Sequence, residues 1–111
     1  MMNLDEIIRD ICGQIVRNFQ PHKVILFGSH AYGVPTKDSD LDFLVIMPYS
    51  GNELQQMADV RGRIDSRVPL DVLVKTPEQI DRDLKANNFF TREIIENGIT
   101  LYESGDLGVG K

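Results

Sequence analysis

The fold is decided by residues 23–46, which read KVILFGSHAYGVPTKDSDLDFLVI. The stretch opens with a short, β-rich apolar run at Lys23–Phe27, which predicts a buried strand. Gly28 ends that run, and residues 28–39 are rich in Gly, Pro, Ser and Thr, which predicts a loop that can start with a helical turn. A second strand is predicted over residues 40–47. Because only a loop joins the two strands, we expect them to be antiparallel neighbours.

Helices and further strands alternate on both sides of this segment. Apolar residues recur at helical spacing from Leu4 to Phe19, and Asn3 with Glu6 matches a capping box, so a first helix is predicted there. The pattern also predicts helices over residues 52–68 (closed by Pro69), from Thr76 and Pro77 onward, and through Phe90 to Gly98, with strands at residues 70–74 and 99–102. The chain is therefore predicted to have an α+β fold, a mixed β-sheet with helices packed on it.

Length and charge narrow the classes of function. The chain has 111 residues, with 12 basic and 17 acidic side chains and a formal net charge of −5. We predict one domain over residues 1–103 and a flexible, Gly-rich tail over residues 104–111. The acid excess disfavours extended DNA or RNA as the main partner, because such binding depends on Lys and Arg. No apolar run reaches the length of a membrane span, and the single Cys12 and the lack of a signal-peptide pattern predict a cytoplasmic protein.

The first candidate site is Gly28-Ser29, directly after the first strand. A glycine at this place lets the backbone approach a ligand, and free N–H groups there bind anions. On its own the dipeptide also fits an ordinary strand-ending turn. Gly28 and Gly33 have the outer spacing of a P-loop, but Val34 and Pro35 follow where Lys and Ser or Thr are required. A Walker A site is therefore excluded.

The second candidate site is a set of three strand carboxylates. Alternation places Asp40 and Asp42 on one face of the second strand, and Asp71 lies in the next apolar run. Asp40 and Asp42 also fit a pair of solvated carboxylates at the start of a strand. If all three converge within about 5 Å, each pair repels by about 3 kcal/mol at an effective dielectric constant near 20, so a cation or a proton is required. An EF-hand is excluded, because Phe43 and Tyr49 stand where its Gly and Glu belong, and the oxygen ligands indicate Mg²⁺ or Mn²⁺.

The joint spacing of these residues is far more specific than any one of them. Gly28-Ser29, ten intervening residues, Asp40-x-Asp42 and a later strand residue Asp71 resemble the nucleotidyltransferase superfamily that includes DNA polymerase β. The similarity is greatest to its minimal prokaryotic branch and covers nearly the whole chain. It implies a polymerase-β-like core and a metal-dependent transfer of a nucleoside monophosphate, AMP from ATP, to a hydroxyl group.

The resemblance also implies roles for individual residues. Asp40 and Asp42 would bind two divalent ions, Mg²⁺ or alternatively Mn²⁺, and Asp71 would bind the one nearer the acceptor and help to deprotonate the attacking hydroxyl. His30 stands where the family often has a basic residue; we interpret it as a solvent-facing loop histidine. Lys37 or Lys75 would then help to neutralise the triphosphate. The residues implied to bind the nucleotide are Gly28, Ser29 and Ser39.

The identity of the acceptor is left open between three classes. Larger relatives carry a helical acceptor domain, so the resemblance implies that a second polypeptide supplies the acceptor here. In the minimal branch such a partner is commonly a HEPN-domain toxin, whose tyrosine is adenylylated by the nucleotidyltransferase acting as antitoxin. One alternative is a non-catalytic module that neutralises its partner by binding it. Another is transfer to a small molecule such as an aminoglycoside, across the interface of a homodimer.

Overall fold

The computed structural model describes residues 2–104, which form five helices and four strands. The helices are α1 (Leu4–Phe19), α2 (Ser29–Tyr32), α3 (Glu53–Gly62), α4 (Pro77–Lys85) and α5 (Phe89–Asn97). The strands are β1 (Lys23–Phe27), β2 (Leu41–Ile46), β3 (Leu70–Lys75) and β4 (Ile99–Glu103). Every helix and strand expected from the pattern is present, and the helical turn expected after Gly28 is α2. No helix in the described part of the chain has the length and apolarity needed to cross a membrane.

The four strands form one mixed sheet in the order β3-β2-β1-β4. β1 pairs antiparallel with β2 and with β4, whereas β2 pairs parallel with β3. A loop and the single turn of α2 are enough to reverse the chain between β1 and β2. The parallel pair needs a crossover, which α3 provides. The predicted α+β fold with a mixed sheet is therefore confirmed.

Helices cover both faces of the sheet, and each face has its own apolar core. The odd-numbered side chains of β2, such as Phe43 and Val45, pack against α1 and α3. The even-numbered side chains, such as Leu44 and Ile46, pack against α4 and α5. Since side chains alternate along a strand, Asp42 belongs to the face that α4 and α5 cover. This placement puts the Asp42 side chain on the same side of the sheet as α4 and α5.

The caps of α1 and α4 form as predicted. The side chain of Asn3 accepts a hydrogen bond from the Glu6 backbone N–H, and the Glu6 carboxylate accepts one from the Asn3 N–H. Thr76 and Gln79 form the same reciprocal pair before α4. Such boxes satisfy backbone donors that the first helical turn leaves unpaired. Both helices therefore begin where local sequence alone placed their first residues.

The prediction that the third helix runs to Val68 is wrong. The helix ends at Gly62, and the following segment is held by bonds to other parts of the chain. The Gln14 side chain of α1 donates to the carbonyl of Asp65 and accepts from its backbone N–H, at 2.8 and 2.7 Å. These two hydrogen bonds replace the next helical turn. The predicted tail lies outside the described residues except for Ser104, whose backbone N–H donates to the carbonyl of His22.

Candidate functional site

Two of the predicted carboxylates lie side by side where β2 and β3 begin. The parallel register pairs Asp42 with Asp71, and the next same-face pair is Leu44 with Leu73. Register neighbours in adjacent strands project from the same face of the sheet. Asp42 is half-buried and Asp71 is exposed. The sheet therefore places two carboxylates together at the edge of an apolar surface.

Gly28 lies against the same carboxylate from the β1 side. Its φ is +77°, in the region that favours glycine, and a Cβ built on it would collide with Oδ2 of Asp42. The β1–β2 register, which pairs Phe27 with Asp42, produces this approach. Any side chain at position 28 would displace the carboxylate. The glycine is thus needed for space as well as for backbone conformation.

The charge around Asp42 is unbalanced. Burial raises the pKa of Asp42 above its ordinary value, and the negative charges of Asp71 and then Asp40 raise it further, while His30 acts in the opposite direction. His30 was interpreted as a solvent-facing loop residue, and it lies in the short helix α2 with part of its surface exposed. The ring is half-buried, and its Nε2 lies 3.4 Å from the carbonyl oxygen of Ser39. His30 therefore offsets part of the acid excess beside the site.

An open cavity of about 680 Å³ lies above this pair of acids. Of the predicted site residues, Gly28, Ser29, Asp42 and Asp71 line it, whereas Asp40 and Ser39 do not. The backbone N–H of Thr36 instead donates to the Ser39 hydroxyl at 2.9 Å, which closes a turn in the loop. The other lining residues are Phe27, Tyr32, Gly33, Met57, Val72, Leu73, Phe90 and Glu93.

Neither lysine suggested for the triphosphate lines this cavity. Lys75 lies at the opposite end of β3 from Asp71 and pairs with Glu53 at 3.2 Å. Lys37 is exposed in the loop before β2. The described lining residues thus include three acids, Asp42, Asp71 and Glu93, and no Lys or Arg. Charge neutralisation in the cavity has to come from what binds there.

The donor set fits a divalent cation only in part. In the described residues, no three His, Cys, Asp or Glu side chains are grouped closely enough to hold a metal ion by themselves. The expected convergence of three carboxylates is therefore reduced to the adjacent pair Asp42 and Asp71, with Asp40 acting from outside the cavity. One or two carboxylates, completed by water and phosphate oxygens, match the way proteins usually hold Mg²⁺. The pair therefore fits an ion that arrives together with a phosphorylated substrate.

Sequence reasoning missed the residues that α5 brings to the cavity. Phe90 was expected as an apolar position of the helix, but its side chain is 55% exposed and its ring meets Phe27 edge to face, with centroids 5.9 Å apart. Glu93, one turn later, lines the same cavity. Phe89, the residue before it, is 84% exposed, and no signal in the sequence distinguishes Phe90 as a cavity residue.

Known proteins match both the sequence and the fold. The family model described as "Nucleotidyltransferase domain" matches residues 6–100. A protein of Methanocaldococcus jannaschii, named as a candidate protein adenylyltransferase, is 27% identical over 105 residues, covering 91% of this chain and all of that protein. The crystal structure of a candidate nucleotidyltransferase from Sulfolobus solfataricus has the same fold, with a TM-score of 0.63 at 20% identity, covering 87% of this chain and 78% of that one.

The family match runs from α1 into β4, and it includes Gly28 and the strands that carry Asp42 and Asp71. The similarity therefore concerns nearly the whole fold, and it includes the segment from which the spacing was first read. We conclude that the chain belongs to the nucleotidyltransferase domain family and is a nucleotidyltransferase.

Proposed function

We propose that this chain transfers AMP from ATP to a hydroxyl group of a second protein. The observation that carries the proposal is the pairing of Asp42 with Asp71 beside Gly28, in the lining of a cavity large enough for a nucleotide. Support for adenylyl transfer to protein comes from the name of the M. jannaschii relative, which matches over its entire length.

In the proposed reaction, the acceptor oxygen attacks the α-phosphorus of ATP. A new P–O bond forms, the bond from the α-phosphorus to the oxygen that bridges to the β-phosphate breaks, and pyrophosphate leaves. Asp71, exposed at the cavity edge, takes the proton from the acceptor hydroxyl. Gly28 and Ser29 line the cavity beside Asp42 and contact the β and γ phosphates.

Asp42 and Asp71, with Asp40 nearby, would hold Mg²⁺, or alternatively Mn²⁺, and the family pattern implies two ions. When bound, such ions neutralise charge on the entering and leaving oxygens. Ser39 is the weakest of the proposed nucleotide contacts, because its hydroxyl already pairs with Thr36 in the loop. We therefore assign it to holding the loop that precedes Asp40.

We further propose that the acceptor is a tyrosine of a HEPN-domain toxin, and that this chain serves as its antitoxin. An acceptor on a separate protein agrees with the exposure of Asp71 and the openness of the cavity beside it. The described fold holds one sheet and the helices packed on it, and the cavity is lined by residues of these elements together with Gly28 and Gly33. A homodimer belongs to the alternative function, transfer to a small molecule held across the interface of two copies.

The decisive experiment measures which phosphate of ATP is transferred to the acceptor protein. The protein is incubated with Mg²⁺, ATP labelled at either the α or the γ phosphate, and the product of the neighbouring reading frame. Adenylylation predicts α-label and no γ-label on that product, whereas γ-label alone would contradict nucleotidyl transfer to it. Asp42→Asn should abolish labelling. The matched control is Asp38→Asn, which removes an exposed carboxylate from the preceding loop.

A cell-protection assay separates catalysis from binding. If Asp42→Asn protects cells from the partner as well as the unmodified protein does, the chain acts as a binding module and catalytic neutralisation is wrong. Label that appears on an added aminoglycoside, and not on the protein, would instead identify the small-molecule reaction.

A further inference from the structure

Helix α5 contributes an aromatic wall to the cavity. It packs against β1, and the ring of Phe90 meets that of Phe27 at 90°. An edge-to-face contact covers only part of a ring, and the Phe90 side chain remains 55% exposed. Tyr32 lies in the same lining and packs against the same core. The cavity therefore has an aromatic surface that no described residue covers completely.

One turn further along α5, Glu93 adds a carboxylate to the same lining. Its helix neighbour Arg92 is engaged elsewhere, with Glu96 at 3.1 Å and with the side chain of Asn87. Within residues 2–104, the carboxylate of Glu93 forms no hydrogen bond or ion pair. A carboxylate at a cavity wall without a donor of its own is a ready acceptor for a ligand's N–H groups.

The order of the strands indicates which part of the substrate lies beside the α5 residues Phe90 and Glu93. α5 packs on β1, whereas Asp71 is on β3, at the other side of Asp42. If Asp71 faces the acceptor hydroxyl, as proposed above, the α5 side is left to the nucleotide. Phosphates would be repelled by Glu93, so the uncharged, aromatic part of the nucleotide has to face it.

We propose that Phe90 and Glu93 form the nucleobase subsite of this enzyme. Phe90 stacks on the base, and Glu93 accepts a hydrogen bond from an exocyclic amine. The ligand class is a nucleoside triphosphate whose base carries such an amine, as adenine does. This inference rests on the proposed function, because it takes the position of the nucleotide from the role given to Asp71.

The test measures binding in the absence of any acceptor. Isothermal titration calorimetry with Mg²⁺ compares ATP with purine riboside triphosphate, which differs only in lacking the amine. We expect ATP to bind about tenfold more tightly, the effect of one hydrogen bond to a charged acceptor. Glu93→Ala should reduce the ratio of the two affinities to about one, mainly by weakening the binding of ATP. Glu93→Gln should restore part of that ratio.

The aromatic half of the subsite has a different signature. Phe90→Ala should lower the affinity for both nucleotides by about tenfold, since stacking does not depend on the amine. Phe90→Tyr should bind both nearly as well as the unmodified protein. Glu96→Gln is the matched control, because it changes an exposed acid of the same helix outside the cavity lining and should leave both affinities unchanged.

Two results would overturn the subsite: equal affinities of the unmodified protein for the two nucleotides, or a ratio that Glu93→Ala leaves intact. Thermal unfolding of each variant shows whether it folds, and the comparison of the two nucleotides on the unmodified protein needs no variant. Failure of the proposed function gives separate results: if the chain does not use ATP, neither nucleotide binds, and if only the acceptor differs, the ratio of the two affinities is unchanged.

Discussion

Replacing Asp42 by Asn should stabilise the metal-free protein at neutral pH, because it removes one of two neighbouring negative charges. Register neighbours on adjacent strands are about 5 Å apart. At that distance two unit charges repel by about 3 kcal/mol at an effective dielectric constant of about 20, and by about 1 kcal/mol in water. The exposure of Asp71 places the value toward the lower limit. We expect about 1 to 2 kcal/mol, or a rise in the unfolding midpoint of about 4 to 8 °C.

The pH dependence of this gain has a definite sign. The pKa of Asp42 is raised above its ordinary value of 3.8, first by burial and then by Asp71 and Asp40. A carboxyl group with a higher pKa in the folded state binds its proton more tightly there. The free energy of unfolding therefore falls as pH rises from the unfolded pKa to the folded one. The advantage of Asp42→Asn should be absent below the ordinary pKa, grow through that interval and stay constant above it.

Thermal unfolding followed by circular dichroism from acid to neutral pH, first with EDTA and then with excess Mg²⁺, tests this reasoning. If the acid pair takes up the ion, Mg²⁺ should raise the midpoint of the unmodified protein more than that of Asp42→Asn. Asp38→Asn, which removes a solvated carboxylate, should show neither effect. An Asp42→Asn protein that is less stable than the unmodified one in EDTA at neutral pH would refute the repulsion argument.

Three further outcomes are expected. Gly28→Ala should lower the free energy of unfolding by about 1 to 3 kcal/mol and abolish transfer activity, since the new Cβ meets the Asp42 carboxylate. Scanning calorimetry measures the loss of stability, with Gly62→Ala as the control because its Cβ enters open space. Thr91→Val should lower the free energy of unfolding in urea by about 1 to 2 kcal/mol, because the buried hydroxyl donates to Asp83 at 2.7 Å, and Thr91→Ser should recover most of it. Removal of divalent cations with EDTA should abolish transfer of α-label, and added Mg²⁺ should restore it; label transfer that persists in EDTA would disprove metal dependence.

The parts of this fold that local sequence could predict are those that depend on neighbours in the chain. Asn3 and Thr76 begin their helices through side chains three residues away, so their caps could be predicted directly. The end of α3 could not, because the segment after Gly62 is held by Gln14, fifty-one residues away from Asp65. Periodicity makes no statement about such distant hydrogen bonds.

The candidate site likewise has features that the sequence could predict and features that depend on the tertiary fold. Alternation showed that Asp42 and Asp71 each share a face with apolar strand residues, but only the parallel register shows that they are adjacent. Asp40 and Ser39 lie outside the lining, because the loop that holds them turns on its own Thr36–Ser39 bonds. Glu93 reaches the cavity because α5 packs across β1, which depends on the tertiary fold.

The register between β2 and β3 has a consequence for how the chain reaches its native state. If β3 slipped by one residue, Asp71 would turn toward the apolar layer under α1 and α3, and Leu70 and Val72 would turn away from it. Burial of an unpaired carboxylate in that layer would cost several kcal/mol, so misaligned chains would lose the competition with correctly aligned ones. Asp71, which lines the cavity, therefore also favours the correct register of β3 against β2 during folding.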